Sequence, residues 1–221
     1  MKNYKYFAVI TGFFVATLLV TNTIESKIFL LWDLALPAGI IIFPLAYLFG
    51  DILTEVYGYA YSRKVIWTGF IAQIFMILTY KAAELLPAAP FWTNQDAFQL
   101  ILGSVPRIAL ASMIAYFVGE FCNSYILAKM KVRTDGKGIA TRFVASTIAG
   151  EGIDTIVFVL IAFTGIMSRS EMLQVILSAW GVKVVWEIIA LPITIRIVKW
   201  LKKVENEDYY DNNTNFSPFK V

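Results

Sequence analysis

Seven ionisable residues stand where this chain is otherwise apolar. Asp51, Glu55, Glu120, Glu151, Asp154, Lys183 and Glu187 all fall within, or at the ends of, long hydrophobic runs. A charge in hydrocarbon is costly, so such residues face a bundle interior or line a ligand path. Their spacing is helical. Asp51, Thr54, Glu55 and Gly58 fall at i, i+3, i+4 and i+7 and share one face. Glu120 and Asn123 are three apart, as are Glu151 and Asp154. Lys183 and Glu187 are four apart and can pair. Charged acceptors and one ammonium in this setting suit a polar ligand. The plainer alternative is a set of interhelical bonds closed within the protein.

The elements that position these residues follow from composition. Of 221 residues, 58% are apolar and 16% charged, against roughly 45–50% and 25% in ordinary soluble chains. A core of this size cannot hide that much apolar surface. The expected class is all-α: a polytopic membrane protein with a six-helix transmembrane bundle. Six segments of about 20 apolar residues run over 7–24, 34–53, 65–86, 107–127, 143–166 and 172–195. At a rise of about 1.5 Å per residue, the acidic groups run from the midplane into the cytoplasmic half; Asn22 lies near the outer end of the first span. That span follows Lys2 and Lys5 but precedes no small-x-small cleavage site, so it reads as a retained helix. With a cytoplasmic N-terminus, fourteen of the nineteen basic residues collect on the cytoplasmic side, as expected for short loops. Both termini are therefore expected in the cytoplasm. Residues 1–203 form the membrane domain and 204–221 a cytoplasmic tail, expected to be loosely ordered. The outer connection, with Pro87, Pro90 and Trp92, is expected at the interface, and Thr134-Asp135-Gly136 marks a cytoplasmic turn.

Absences narrow the chemistry. There is no His and one Cys, Cys122. That excludes HExxH metalloproteases, Ser-His-Asp hydrolases, His-ligated haem and Cys-based zinc or iron–sulfur sites. No metal or cofactor is expected. The net charge of +3 follows from topology and gives no support to nucleic-acid binding. Two rows of small residues, Ala8-Gly12-Ala16 and Ala111-Ala115-Gly119, suit close helix packing; a docking face for a second protomer, as in a homodimer, or for another subunit is the sharper reading. A Gly-acid pattern recurs at Gly50-Asp51, Gly119-Glu120 and Gly150-Glu151. The second and fifth spans run oppositely, as in a 3+3 inverted repeat, but the copy in the fourth span does not fit a two-fold scheme.

The run Phe43-Pro44-Leu45-Ala46-Tyr47-Leu48-Phe49-Gly50-Asp51-Ile52-Leu53-Thr54-Glu55-Val56-Tyr57-Gly58, followed by Arg63 and Val65-Ile66-Trp67, closely resembles the signature of the queuosine precursor transporter family. Pro106-Arg107-Ile108, Gly119-Glu120-Phe121, Asn123, Gly150-Glu151-Gly152-Ile153-Asp154, Lys183, Glu187 and the tail from Tyr210 to Phe219 are similar too. The resemblance implies a multi-pass carrier of the bacterial inner membrane that imports 7-cyano-7-deazaguanine or 7-aminomethyl-7-deazaguanine, precursors of a modified tRNA base. It implies no enzymatic activity.

That substrate agrees with the residues. A carboxylate accepts an adjacent N–H and amino group together; Lys183, Asn123 or Arg142 would serve the nearby carbonyl. Tyr47, Tyr57, Trp67, Phe158 and Trp180 are candidate walls for a flat ring. The substrate-binding set read from the sequence is Asp51, Glu55, Glu120, Asn123, Glu151, Asp154, Lys183, Glu187, Tyr57 and Trp67. The expected partners are the deazaguanine and the lipid bilayer. Two other classes stand beside this reading. One is the substrate-binding subunit of an energy-coupling-factor importer, whose ATPase would be another chain. The other is an intramembrane enzyme.

Overall fold

A computed structural model describes residues 4–24, 27–31, 34–103 and 106–220. Lys2 and the side chain of Arg107, both used in the charge count, lie outside the described residues. Among the described residues, seven α-helices and one small hairpin follow in order: α1 (Phe7–Ile24), β1 (Ile28–Leu31), β2 (Leu34–Pro37), α2 (Phe43–Tyr57), α3 (Tyr59–Glu84), α4 (Gln95–Leu102), α5 (Pro106–Arg133), α6 (Ile139–Phe163) and α7 (Arg169–Glu205). The strands pair antiparallel, with Ile28 opposite Pro37 and Leu31 opposite Leu34.

Among the described residues, five helices, in α1, α3, α5, α6 and α7, are long and apolar enough to cross a membrane. The second expected span is built differently. Residues 34–37 are a strand, Ala38–Ile41 is a 3₁₀ turn, and only then does α2 begin, with Pro44 in its first turn. Pro37 has no N–H for a helix, and Pro44 suits a helix start. The fifteen residues of α2 reach about 22 Å, short of a hydrocarbon core of about 30 Å. Twelve of them are buried. A short, acidic helix is tolerated because protein encloses it. It packs against α1, α3, α5 and α7. Around it the core gathers Phe14, Leu18, Ile52, Val56, Ile66, Leu127, Phe143, Val198 and Leu201. The outer faces stay apolar; Phe75, Leu78, Leu173, Leu177 and Ile189 are each more than half exposed.

Helix entries and exits follow local chemistry. Gly58, at φ +84°, links α2 to α3 alone, which a side chain would strain. Ser168 and Glu171 form a reciprocal capping box at the start of α7. The turn at 134–136 is present, with Asp135 and Gly136 at positive φ. The start of α1, the Gly58 link, that turn and the C-terminal tail all meet at one end of the bundle. Glu205 accepts the backbone N–H groups of Lys5 (2.9 Å) and Tyr6 (2.6 Å), closing the start of α1 with the end of α7.

The tail departs from its expected looseness. Tyr59 N–H donates to Asp211, Arg63 donates to the carbonyls of Asn215 (2.7 Å) and Ser217 (2.8 Å), and Trp67 Nε1 donates to Pro218 O at 2.8 Å. Phe216 packs on Tyr59 and Tyr125. Backbone carbonyls and rings supply these contacts, so the polarity that suggests a free tail is consumed in docking it.

The small-residue rows separate. Ala111, Ala115 and Gly119 are buried between helices. Ala8, Gly12 and Ala16 are exposed, and nothing lies within 4 Å of a side chain placed at Gly12.

Candidate functional site

Glycines let three acid-bearing helices meet. A Cβ on Gly119 would come 3.0 Å from Gly150 O, and one on Gly150 would come 3.0 Å from Gly119 O. The two backbones of α5 and α6 therefore touch there. A Cβ on Gly50 would strike the carboxylate of Glu120. The recurring Gly-acid pattern thus marks one convergence of α2, α5 and α6. Each glycine makes room at that crossing for its neighbours.

Around that convergence lies a central polar cluster. Asn123 Nδ2 donates to Asp51 Oδ1 at 2.7 Å. Lys183 Nζ stands 2.8 Å from Glu151 Oε2 and 2.6 Å from Asp154 Oδ2. It also lies 4.3 Å from the centre of the Phe43 ring, which packs against Tyr47. Asp51, Glu120, Asn123, Glu151, Asp154 and Glu187 are all at most 5% exposed. Several acceptors have no hydrogen-bond donor among the described residues: Asp51 Oδ2, both oxygens of Glu120, Asn123 Oδ1 and Glu187 Oε1; the Tyr47 hydroxyl is also unpartnered. Such atoms are costly to bury and uncommon in a purely structural network. Lys183 differs from its expected pairing. It bonds across to α6 rather than to Glu187 one turn along, because Glu151 and Asp154 place two carboxylates opposite it.

Glu55 belongs to a second cluster at the end of the bundle. Its Oε1 receives Arg142 Nη2 at 2.8 Å and Lys202 Nζ at 2.6 Å, with Lys131 Nζ at 3.7 Å. Asp208 of the tail bridges the same two lysines, at 2.5 Å from Lys131 and 2.8 Å from Lys202. Arg142, only 1% exposed, is thereby held at Glu55 and at the carbonyl of Lys137, away from the central cluster. Partial burial opposes the charge on Asp208, but the bonds from Lys131 and Lys202 outweigh it and hold its carboxyl below the usual range. Burial pushes Asp211 up, against hydrogen bonds from Thr214 and Tyr59.

The aromatic candidates also divide. Tyr57 donates to Glu205 at 3.0 Å and packs on Tyr4 and Phe7. Trp67 clamps the tail between Pro218 and the Phe117 and Phe219 rings. Both serve the end where the termini meet. Trp180 Nε1 donates to Ile148 O at 3.0 Å, and a Cβ added at Gly152 would lie 3.4 Å from its ring. Asn22 bonds Gln73 at 3.0 Å between α1 and α3. Of the ten residues read from the sequence, seven gather centrally, while Glu55, Tyr57 and Trp67 face the terminal end. Sequence reasoning did not single out Lys131, Lys202 and Asp208. Their signal was masked because a lysine beside a loop expected in the cytoplasm is explained by that expected topology alone.

Comparison with known proteins places these features. Residues 37–197 match the family model described as "Putative vitamin uptake transporter". A relative from Bacillus subtilis (strain 168), named "Probable queuosine precursor transporter", is 27% identical over 178 residues, spanning 80% of this chain and 76% of the relative. No solved structure matches.

Proposed function

We propose that this chain, which belongs to the vitamin uptake transporter family, imports deazaguanine precursors of queuosine across the bacterial inner membrane, with both termini in the cytoplasm. It is a multi-pass membrane transporter, not an enzyme. Its specific cargo on this reading is 7-cyano-7-deazaguanine or 7-aminomethyl-7-deazaguanine. The name of the Bacillus subtilis relative supports the substrate class.

The observation that carries the site is Lys183 bound between Glu151 and Asp154 under Phe43 and Tyr47. Glu151 takes the adjacent N–H and amino donors of the deazaguanine edge, a charge-assisted pair. Lys183 keeps Asp154 and turns toward the ring carbonyl. Phe43 and Tyr47 provide the flat wall. Asp51, Asn123 and Glu187 complete the polar surround. Binding at the centre of the bundle, on helices from both halves of the chain, fits a carrier that opens alternately to each side.

The test is a titration of purified protein with both precursors, guanine and queuine. Loss of a charged acceptor for two buried donors costs about 2–5 kcal/mol, roughly 30-fold to several-thousand-fold in affinity. Glu151→Gln is expected to show that loss in a protein that still folds, because Asp154 keeps the Lys183 ammonium. Near-normal affinity in a folded variant would remove Glu151 from the site.

A second reading has one observation in its favour. The open row Ala8-Gly12-Ala16 on α1 would suit a second copy or the partner of an energy-coupling importer. Uptake by this chain alone in liposomes decides against a required partner.

A further inference from the structure

We infer that residues 206–220 are the inner gate of the carrier: a strap held to α3 that latches on α5 and lets go of it before the bundle opens toward the cytoplasm. The inference rests on the transport reading above, which puts the docked tail on the cytoplasmic side. The chain doubles back at Asn206, in left-handed backbone at φ +48°, and lies across the end of the bundle instead of leaving it.

The strap and the end of α7 form one body with α1, α2 and α3. Glu205 accepts from the first N–H groups of α1 and from the Tyr57 hydroxyl. Tyr209 N–H donates to Val56 O at 3.2 Å. On α3, Asp211 accepts the N–H of Tyr59. Arg63, 6% exposed, gives Nη1 to the carbonyls of Asn215 and Ser217. Lifting the strap from α3 would leave that guanidinium buried without those acceptors, which is costly.

On α5 the hold is of another kind. Lys131 reaches Asp208 at 2.5 Å and Tyr209 O at 2.8 Å. Phe216 meets the Tyr125 ring and the Lys129 ammonium. The Asp208 side chain is 45% exposed, so its pair with Lys131 is partly solvated and worth little. Release there leaves Lys131 on Glu55 O and beside Glu55 Oε1, and leaves Asp208 on Lys202. Neither charge is stranded. The strap is therefore anchored on α3 and latched on α5.

What the latch covers makes it a gate. Beneath it Glu55, Lys131 and Arg142 are at most 1% exposed, and their pairs join α2 to α5 and α6. Parting those helices in the dry would leave buried charges without partners, at high cost. Once the strap lifts from Lys131, water reaches the pairs. They weaken to the worth of surface pairs, and α2 can part from α5. Closure reverses the order: the helices meet, the strap returns and the pairs are dry again.

The experiment uses full-length protein in a Cys122→Ser background, in liposomes, with labelled 7-cyano-7-deazaguanine. Tyr125→Cys with Phe216→Cys lets a short, reducible thiol-reactive linker tie the strap to α5. Arg63→Cys with Asn215→Cys lets the same linker tie it to α3. The α5 link is expected to abolish uptake and reduction to restore it, which shows that the linked protein is folded. The α3 link is expected to leave uptake at the level of the same variant unlinked. Paired spin labels give a readout without substrate. Labels at Asn213→Cys and Lys64→Cys, on α3, should show one distance. Labels at Asn213→Cys and Arg133→Cys, on α5, should show a second, longer one whose share grows in Asp208→Asn. Uptake that survives the α5 link, uptake lost to the α3 link, or a single distance between residues 213 and 133 would each overturn the proposal. If wild type takes up no precursor, the transport reading falls, while the label distances still decide whether the strap unlatches.

Discussion

Removing the Lys183 ammonium should expose how much of the bundle depends on it. The Lys183→Met change leaves a side chain of similar length but strips the charge from between Glu151 and Asp154, whose side chains are 3% and 7% exposed. Breaking a buried pair by deleting one partner costs about 3–5 kcal/mol. The acids can escape by taking up a proton. From an ordinary glutamate value of about 4.3, that uptake costs about 4 kcal/mol at pH 7 and about 1 kcal/mol at pH 5. K183M is therefore expected to insert in the membrane but to melt well below wild type in detergent at neutral pH, with most of the gap closing at pH 5. Adding Glu151→Gln and Asp154→Asn should restore stability at pH 7 without restoring uptake, which separates the two roles of the cluster. A K183M protein as stable as wild type at pH 7, or one whose deficit ignores pH, would refute the reasoning.

Further outcomes follow from other contacts. Gly119→Val drives a side chain into Asp154 Cβ, 2.7 Å from the ideal Cβ position, and is expected to cost about 1–3 kcal/mol in unfolding measurements. Asp211→Ala removes the acceptor at the first N–H of α3, a cap worth about 1 kcal/mol; faster protease cleavage of the tail would report it. Because Asp208 titrates below its ordinary value of about 3.9, its bonds to Lys131 and Lys202 hold the tail above that value and are lost as pH falls through the depressed one. Wild type but not Asp208→Asn should then gain pepsin sensitivity in its tail as pH falls through that window. Single cysteines at Gln95 and Gly136, in a Cys122→Ser background, should label from opposite faces of the membrane.

Much of this arrangement was legible along the chain, and the illegible parts share one cause. Periodicity brings Glu151 and Asp154 to one face, and apolar length marks most of the long helices. Crossings between helices leave no such trace. Lys183 has a carboxylate one turn away in sequence, yet its partners come from α6. Glu55 looks like a neighbour of Asp51, since both ride α2, but the cations that hold it arrive from α5, α6 and α7. The second span misled because hydropathy does not register that Pro37 closes a strand and that Pro44 sets a helix start only at Phe43. The tail misled because its acids and amides read as polar in composition, while in three dimensions Asp211 and the Phe216 ring are spent on contacts with the helices.

The junction at Glu205 has a bearing on how the protein is made. A chain leaves the ribosome from its N-terminus, so α1 enters the membrane long before residue 205 exists. Its first backbone donors wait for a carboxylate from the end of the last long helix. Glu55 likewise meets Lys131 and Arg142 during synthesis but gains Lys202 and the lysine-bridging Asp208 only as translation finishes. A nascent chain stalled before residue 202 carries most of each long helix described above, yet lacks the contacts of Lys202, Glu205 and Asp208 that close the end where the tail docks.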